Sequence, residues 1–125
     1  GLQALFQRDS KPESYIRIPG LPRCDGAVFV IGDHMYPFLK SGDIVMYKEI
    51  HNIPESLIWG EMYLTSIDLD GEEYISVKRI QKSDRGQDYV KLVSQNQHHE
   101  AKDIAIERIV ALALIKANIH INTMQ

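Results

Sequence analysis

The groups able to do chemistry in this 125-residue chain crowd into one short stretch, residues 32–45. Gly32, Asp33, His34, Met35, Pro37, Ser41, Gly42 and Asp43 bring an imidazole, a hydroxyl and two carboxylates close together in sequence. Gly32 admits backbone angles that other residues resist, Pro37 fixes φ near −65°, and Gly42-Asp43 forms a second turn, so the stretch reads as strand, tight turn, strand. Taken by spacing alone it is a pair of surface turns on a β scaffold. Asp33 and Asp43 form no carboxylate pair suited to acid–base work. His51, His98, His99 and His120 show no metal-ligand spacing with a carboxylate, and adjacent loop histidines point apart, so no metal site is expected. Cys24 is the only cysteine, which excludes an internal disulfide and a cysteine-based zinc site. A small residue under a β core is its commoner fate than a reactive thiol.

The elements that must position these groups are mostly strands. Residues 15–18 form a short strand stopped by Pro19, Gly20 and Pro22. Residues 27–31 and 44–47 are compact apolar runs of the kind a buried strand uses. Residues 52–56 are expected to make one helical turn, with Asn52 as its cap and Pro54 in the turn. Residues 61–67 and 72–80 flank Asp68-Leu69-Asp70-Gly71, an Asp-Gly hairpin signal. A second turn at residues 83–86 precedes a strand over 88–93. Residues 104–121 admit a helix through Ile109, Leu112 and Lys116, but the alternation of Ile115, Ala117, Ile119 and Ile121 favours a strand. Seven or eight short strands with little helix make the chain mainly β. An apolar fraction of 44% and a charged fraction of 25% are those of a globular protein, not a disordered one. A net charge of −3 argues against this domain gripping nucleic acid by itself, and the scattered aromatics have no basic groove between them. No apolar run approaches the length of a membrane span. A cytoplasmic location and no cofactor are expected.

The stretch Gly32-Asp33-His34-Met35-Tyr36-Pro37-Phe38-Leu39-Lys40-Ser41-Gly42-Asp43 resembles the Gly-Asp-Ser-Met-x-Pro-x-Leu-x-x-Gly-Asp signature of LexA-type and phage repressors, the self-cleaving serine–lysine peptidases. Val77-Lys78-Arg79-Ile80 is similar to the family strand that supplies the lysine. Leu92-Val93-Ser94-Gln95-Asn96 is similar to the Leu-x-Ser-x-Asn run that follows it. The resemblance spans about residues 15–120. It implies a mainly antiparallel β fold with short strands in two sheets. It also implies a nucleophile at position 34 and a general base at Lys78. A base of this type needs its ammonium desolvated by apolar surroundings, which lowers its pKa towards neutrality. Ile75, Val77 and Ile80 surround Lys78 in sequence.

Position 34, however, holds histidine in place of the family's serine. An imidazole there has no hydroxyl to acylate. The Ala-Gly or Cys-Gly bond that family members cut occurs nowhere in the chain, Cys24-Asp25-Gly26 coming nearest. Ser41, a turn away, has no geometric reason to stand beside Lys78. The resemblance therefore implies a peptidase fold without its chemistry, serving as the regulatory and dimerising domain of a bacterial or phage-type transcriptional regulator. Residues 1–13 are then expected as a leader or linker from an upstream helix-turn-helix domain, through which alone DNA would be bound, and residues 14–125 as the LexA-like domain. The homodimer contact is expected on the aliphatic C-terminal segment at Ile115, Ile119 and Ile121. An active self-cleaving enzyme with an unusual nucleophile, and a freestanding partner- or ligand-binding β domain, stand as the alternatives.

Overall fold

β-Branched and aromatic residues recur in the longer segments that pair, and Gly or Asp marks several of the reversals between them, which is the composition of a strand meander. The computed structural model describes residues 24–29, 42–94 and 100–120. They form β1 (Gly26–Phe29), β2 (Ile44–Ile50), β3 (Met62–Leu69), β4 (Glu72–Lys82), β5 (Tyr89–Val93), β6 (Lys102–Ala105) and β7 (Ile109–Ile119). The mainly β expectation holds, and the helix-or-strand ambiguity of the C-terminal stretch resolves as strand. Its uninterrupted run from residue 104 is, however, broken by a 3-10 turn at Ile106–Arg108. The expected helical turn exists as one isolated turn, in which Ser56 N–H donates to Asn52 C=O at 2.8 Å. The strand expected at residues 15–18 lies outside the described residues.

Hydrogen bonding joins all seven strands, each pair antiparallel, into one sheet in the order β1-β2-β7-β3-β4-β5-β6, where two sheets were expected. The physical reason is β7, which pairs with β2 along one edge and β3 along the other. Irregularities between Met46 and Tyr47 and between Ser66 and Ile67 interrupt those two ladders, and such bulges locally increase twist.

Successive strand residues face opposite sides. One face therefore carries Tyr63 and Ile67 of β3, Ile80 of β4, Val90 and Leu92 of β5, Ile104 of β6 and Leu112 of β7, which pack with Leu57 into the larger core. The other face carries a smaller core of Tyr47, Leu64 and Ala113 with Val28 and Val77, adjoining Val45 with Met62 and Ile115. Both faces of the central strands are thus covered. The β3–β4 hairpin closes where the sequence indicated: Asp70 (φ 55°) and Gly71 (φ 84°) both take the left-handed region that a two-residue turn requires. Asp68 Oδ1 accepts the Gly71 N–H at 3.0 Å and completes the turn.

Candidate functional site

Lys78 sits in the interior of β4, directly opposite Tyr63 of β3. Alternation places it on the face of the larger core, with Ser76 and Ile80 two residues to either side. Tyr63 and Ile80 are fully buried, and Lys78 itself is half-buried. Desolvation by this burial alone holds the Lys78 ammonium below its ordinary pKa of 10.5. The sequence expectation of a desolvated lysine is met, but by different neighbours. Ile75 and Val77 project from the opposite face, where Val77 joins the smaller core and Ile75 is 50% exposed. The cross-strand ring of Tyr63 and the same-face Ile80 take the place that sequence adjacency had suggested for them.

The strand around Lys78 is held at several points. Tyr63 Oη accepts the Ile58 N–H at 2.8 Å, which ties the preceding loop to β3. Arg79 Nη1 donates to Gly60 C=O at 2.8 Å, Gly60 N–H to Ile80 C=O at 2.7 Å, and Ile80 N–H to Glu61 C=O at 3.2 Å. Gly60 makes this stitch with φ of 91°, a conformation that favours glycine. On the other side of Lys78, Thr65 Oγ1 donates to Ser76 C=O at 3.0 Å and meets Ser76 Oγ at 3.1 Å. Arg79 pairs with Val93 of β5, and the next residue of that segment, Ser94, is also buried (8% exposed). Chemically, this arrangement offers a strand-mounted amine that burial makes easier to deprotonate, with hydroxyl groups on neighbouring positions. A shift in this direction is the one a lysine acting as general base requires.

The second half of the expected site is only partly described. Gly42 has φ of 94°, consistent with the turn assigned to Gly42-Asp43. Gly32, Asp33, His34, Met35 and Pro37 lie outside the described residues, as do Ser41 and Ile121. The juxtaposition of His34 with Lys78 is therefore an expectation that the described residues leave untouched. Of the residues assigned to a dimer contact, Ile115 and Ile119 are half-buried, Ile115 packing beside Val45 and Ile119 standing opposite Ile44.

Sequence reading missed one pair. His120 Nδ1–H donates to Asp43 Oδ1 at 2.6 Å, with the Asp43 side chain 3% exposed and that of His120 41%. The two are 77 residues apart. Only the β2–β7 register, in which Ile44 faces Ile119, brings them together. No local pattern signals it. Among the described residues no group of three or more His, Cys, Asp or Glu converges to hold a metal ion, and no helix is long and apolar enough to cross a membrane.

The family model of Peptidase S24-like proteins matches residues 4–115. No curated protein matches the chain.

Proposed function

The chain belongs to the Peptidase S24-like family, and from that premise we propose that it is the regulatory and dimerising domain of a bacterial or phage-type transcriptional regulator whose self-cleaving chemistry has been lost. The observation that carries this reading is the mismatch between the two halves of the site. Lys78 keeps the half-buried, desolvated setting of a general base, while position 34 of the signature holds an imidazole in place of the hydroxyl that such a base would activate. A base whose signature partner carries no hydroxyl can hold or exchange a proton but has no acyl intermediate to form at that position. The lack of any Ala-Gly or Cys-Gly bond in the chain supports the same reading.

What remains useful in such a domain is its fold and its surface. Two copies associating through the C-terminal strand bring two upstream helix-turn-helix modules to a two-fold symmetric operator, and DNA contact in the cytoplasm falls to those modules. The net charge of −3 agrees with a domain that does not itself grip phosphates.

Intact-mass spectrometry after incubation at alkaline pH, where neutral lysine is favoured, tests the loss of chemistry. The chain is expected to keep one mass. Discrete fragments that disappear in Lys78→Ala would overturn the reading and restore an active self-cleaving peptidase.

A further inference from the structure

β4 is longer than the strand beside it. It runs from Glu72 to Lys82, but β5 pairs with it only from Arg79 to Lys82. Among the described residues no other ladder continues along that edge over residues 72–78. Tyr74 and Ile75, in the middle of the stretch, are each 50% exposed. A long exposed edge with apolar side chains is a template for another strand. We propose that this edge is a self-pairing surface, on which a second copy of the chain lays its own residues 72–78 antiparallel about a two-fold axis through Ile75.

The backbone limits which pairings can form. Ile80 N–H donates to Glu61 C=O and Ile80 C=O accepts from Gly60 N–H, so the polar groups of Ile80 point to the β3 side. Thr65 Oγ1 donates to Ser76 C=O, which therefore points the same way. Alternation along an antiparallel strand then turns the N–H and C=O of Ile75 and Val77 away from β3, and those of Glu73 with them. With the axis through Ile75, that residue faces its own copy and Val77 faces Glu73, so outward groups meet outward groups.

The side chains select this register among the symmetric ones. It sets Glu72 directly opposite Lys78 of the copy, once on each side of the axis, and lays two half-exposed isoleucines against each other. Opposite charges and apolar pairs directly across a ladder both stabilise it. Moving the axis to Tyr74 sets Glu72 opposite Ser76, and moving it to Ser76 sets Tyr74 opposite Lys78, so either shift loses both charge pairs. The contact is isologous and closes at two copies. β3 separates β4 from β7, so this contact is distinct from the C-terminal one and stands or falls without it.

Seven residues a side is small beside the roughly 20–30 of a standard interface, so the contact is weak and is best trapped covalently. The test uses the full chain with Cys24→Ser, which leaves an introduced thiol as the only one. In a hydrogen-bonded antiparallel pair the Cα atoms stand about 5.5 Å apart, within the span of a disulfide. Ile75→Cys is therefore expected to link to its copy under mild oxidation. Glu73→Cys shares strand, face and exposure, but in this register it lies four residues along the ladder from its copy, about 13 Å. Intact mass without reductant is expected to double at least tenfold faster for Ile75→Cys than for Glu73→Cys. Adding Glu72→Lys, which sets like charges opposite each other, should slow the linkage several-fold, while adding Ile119→Asp should leave it unchanged. Positions 72, 73 and 75 are exposed, so these substitutions leave the core packing intact. No linkage at position 75, equal rates at 75 and 73, or indifference to Glu72→Lys each overturns the proposal. Linkage abolished by Ile119→Asp overturns it too, because the approach would then belong to the C-terminal contact.

Discussion

Asp43 Oδ1 and His120 Nδ1 stand 2.6 Å apart and fasten the start of β2 to the residue that follows β7. A carboxylate as deeply buried as Asp43 is costly unless paired, and the imidazole is one group that pairs with it. His120, half in water, does so without being wholly desolvated.

Removing that partner is therefore expected to destabilise the fold although the histidine itself is well exposed. His120→Ala should cost about 1.5–3 kcal/mol, the range for losing a hydrogen bond to a charged group. Urea unfolding would measure it through a fall in the midpoint at constant slope. His120→Gln, whose side-chain amide can still donate, should recover part of the loss.

Lys78 should make stability depend on pH in a definite direction. Its folded pKa lies below the ordinary 10.5, so between the two values the unfolded chain binds more protons and stability rises with pH. The cost of burying the ammonium is fully present below the folded pKa and gone above 10.5. Lys78→Met is accordingly expected to be more stable than the parent at pH 7, with the difference shrinking as pH approaches 10.5. Tyr47 and Tyr63 are raised above 10.0, chiefly by burial, and run the opposite way: stability falls as pH rises past that value. Comparing variant with parent at each pH in thermal melts cancels the tyrosine contribution.

Gly26 and Tyr47 form a tight cross-strand pair. A Cβ at position 26 would stand 2.5 Å from the phenol oxygen of Tyr47 and 2.7 Å from the ring carbon that bears it, and the ring is buried. Gly26→Ala is expected to cost about 1–3 kcal/mol, as overpacking does. In Tyr47→Leu the same substitution should cost much less. A double-mutant cycle by denaturant unfolding checks it, with a coupling near zero counting against the close approach.

Self-association through the C-terminal strand predicts a dimer in sedimentation equilibrium at micromolar concentration. Ile119→Asp should shift it to monomer while far-UV circular dichroism stays that of the parent. A parent that sediments as a monomer would show the segment to belong to one chain's own sheet.

Much of this organisation was legible because it is written in local chemistry. Asp70-Gly71 demands a left-handed two-residue turn, and the turn is there with both residues at positive φ. Lys78 within an apolar run read correctly as a desolvated amine. The identity of its apolar neighbours did not, because sequence adjacency puts Val77 next to Lys78 while the pleat turns it to the other face. The 3-10 turn at Ile106–Arg108 left no mark, since Ile106 fits a strand as well as a turn. The Asp43–His120 pair was invisible for a deeper reason: it follows from which strands become neighbours, and nothing near either residue encodes that.

The place of β7 in the sheet also fixes an order of events. Among the described residues, the β1–β2 pair and the β3–β6 meander touch through ladders to β7 and through no ladder to each other. During synthesis the meander can zip by short loop closures as it leaves the ribosome. The β1–β2 pair must wait, its inner edge unsatisfied, until β7 emerges. Ile44 meets Ile119 only then, across almost the whole length of the sheet-forming chain. Closure over so long a separation is entropically expensive and slow. Nascent chains stalled before residue 109 are thus expected to protect the meander from proteolysis and leave β2 open to cleavage.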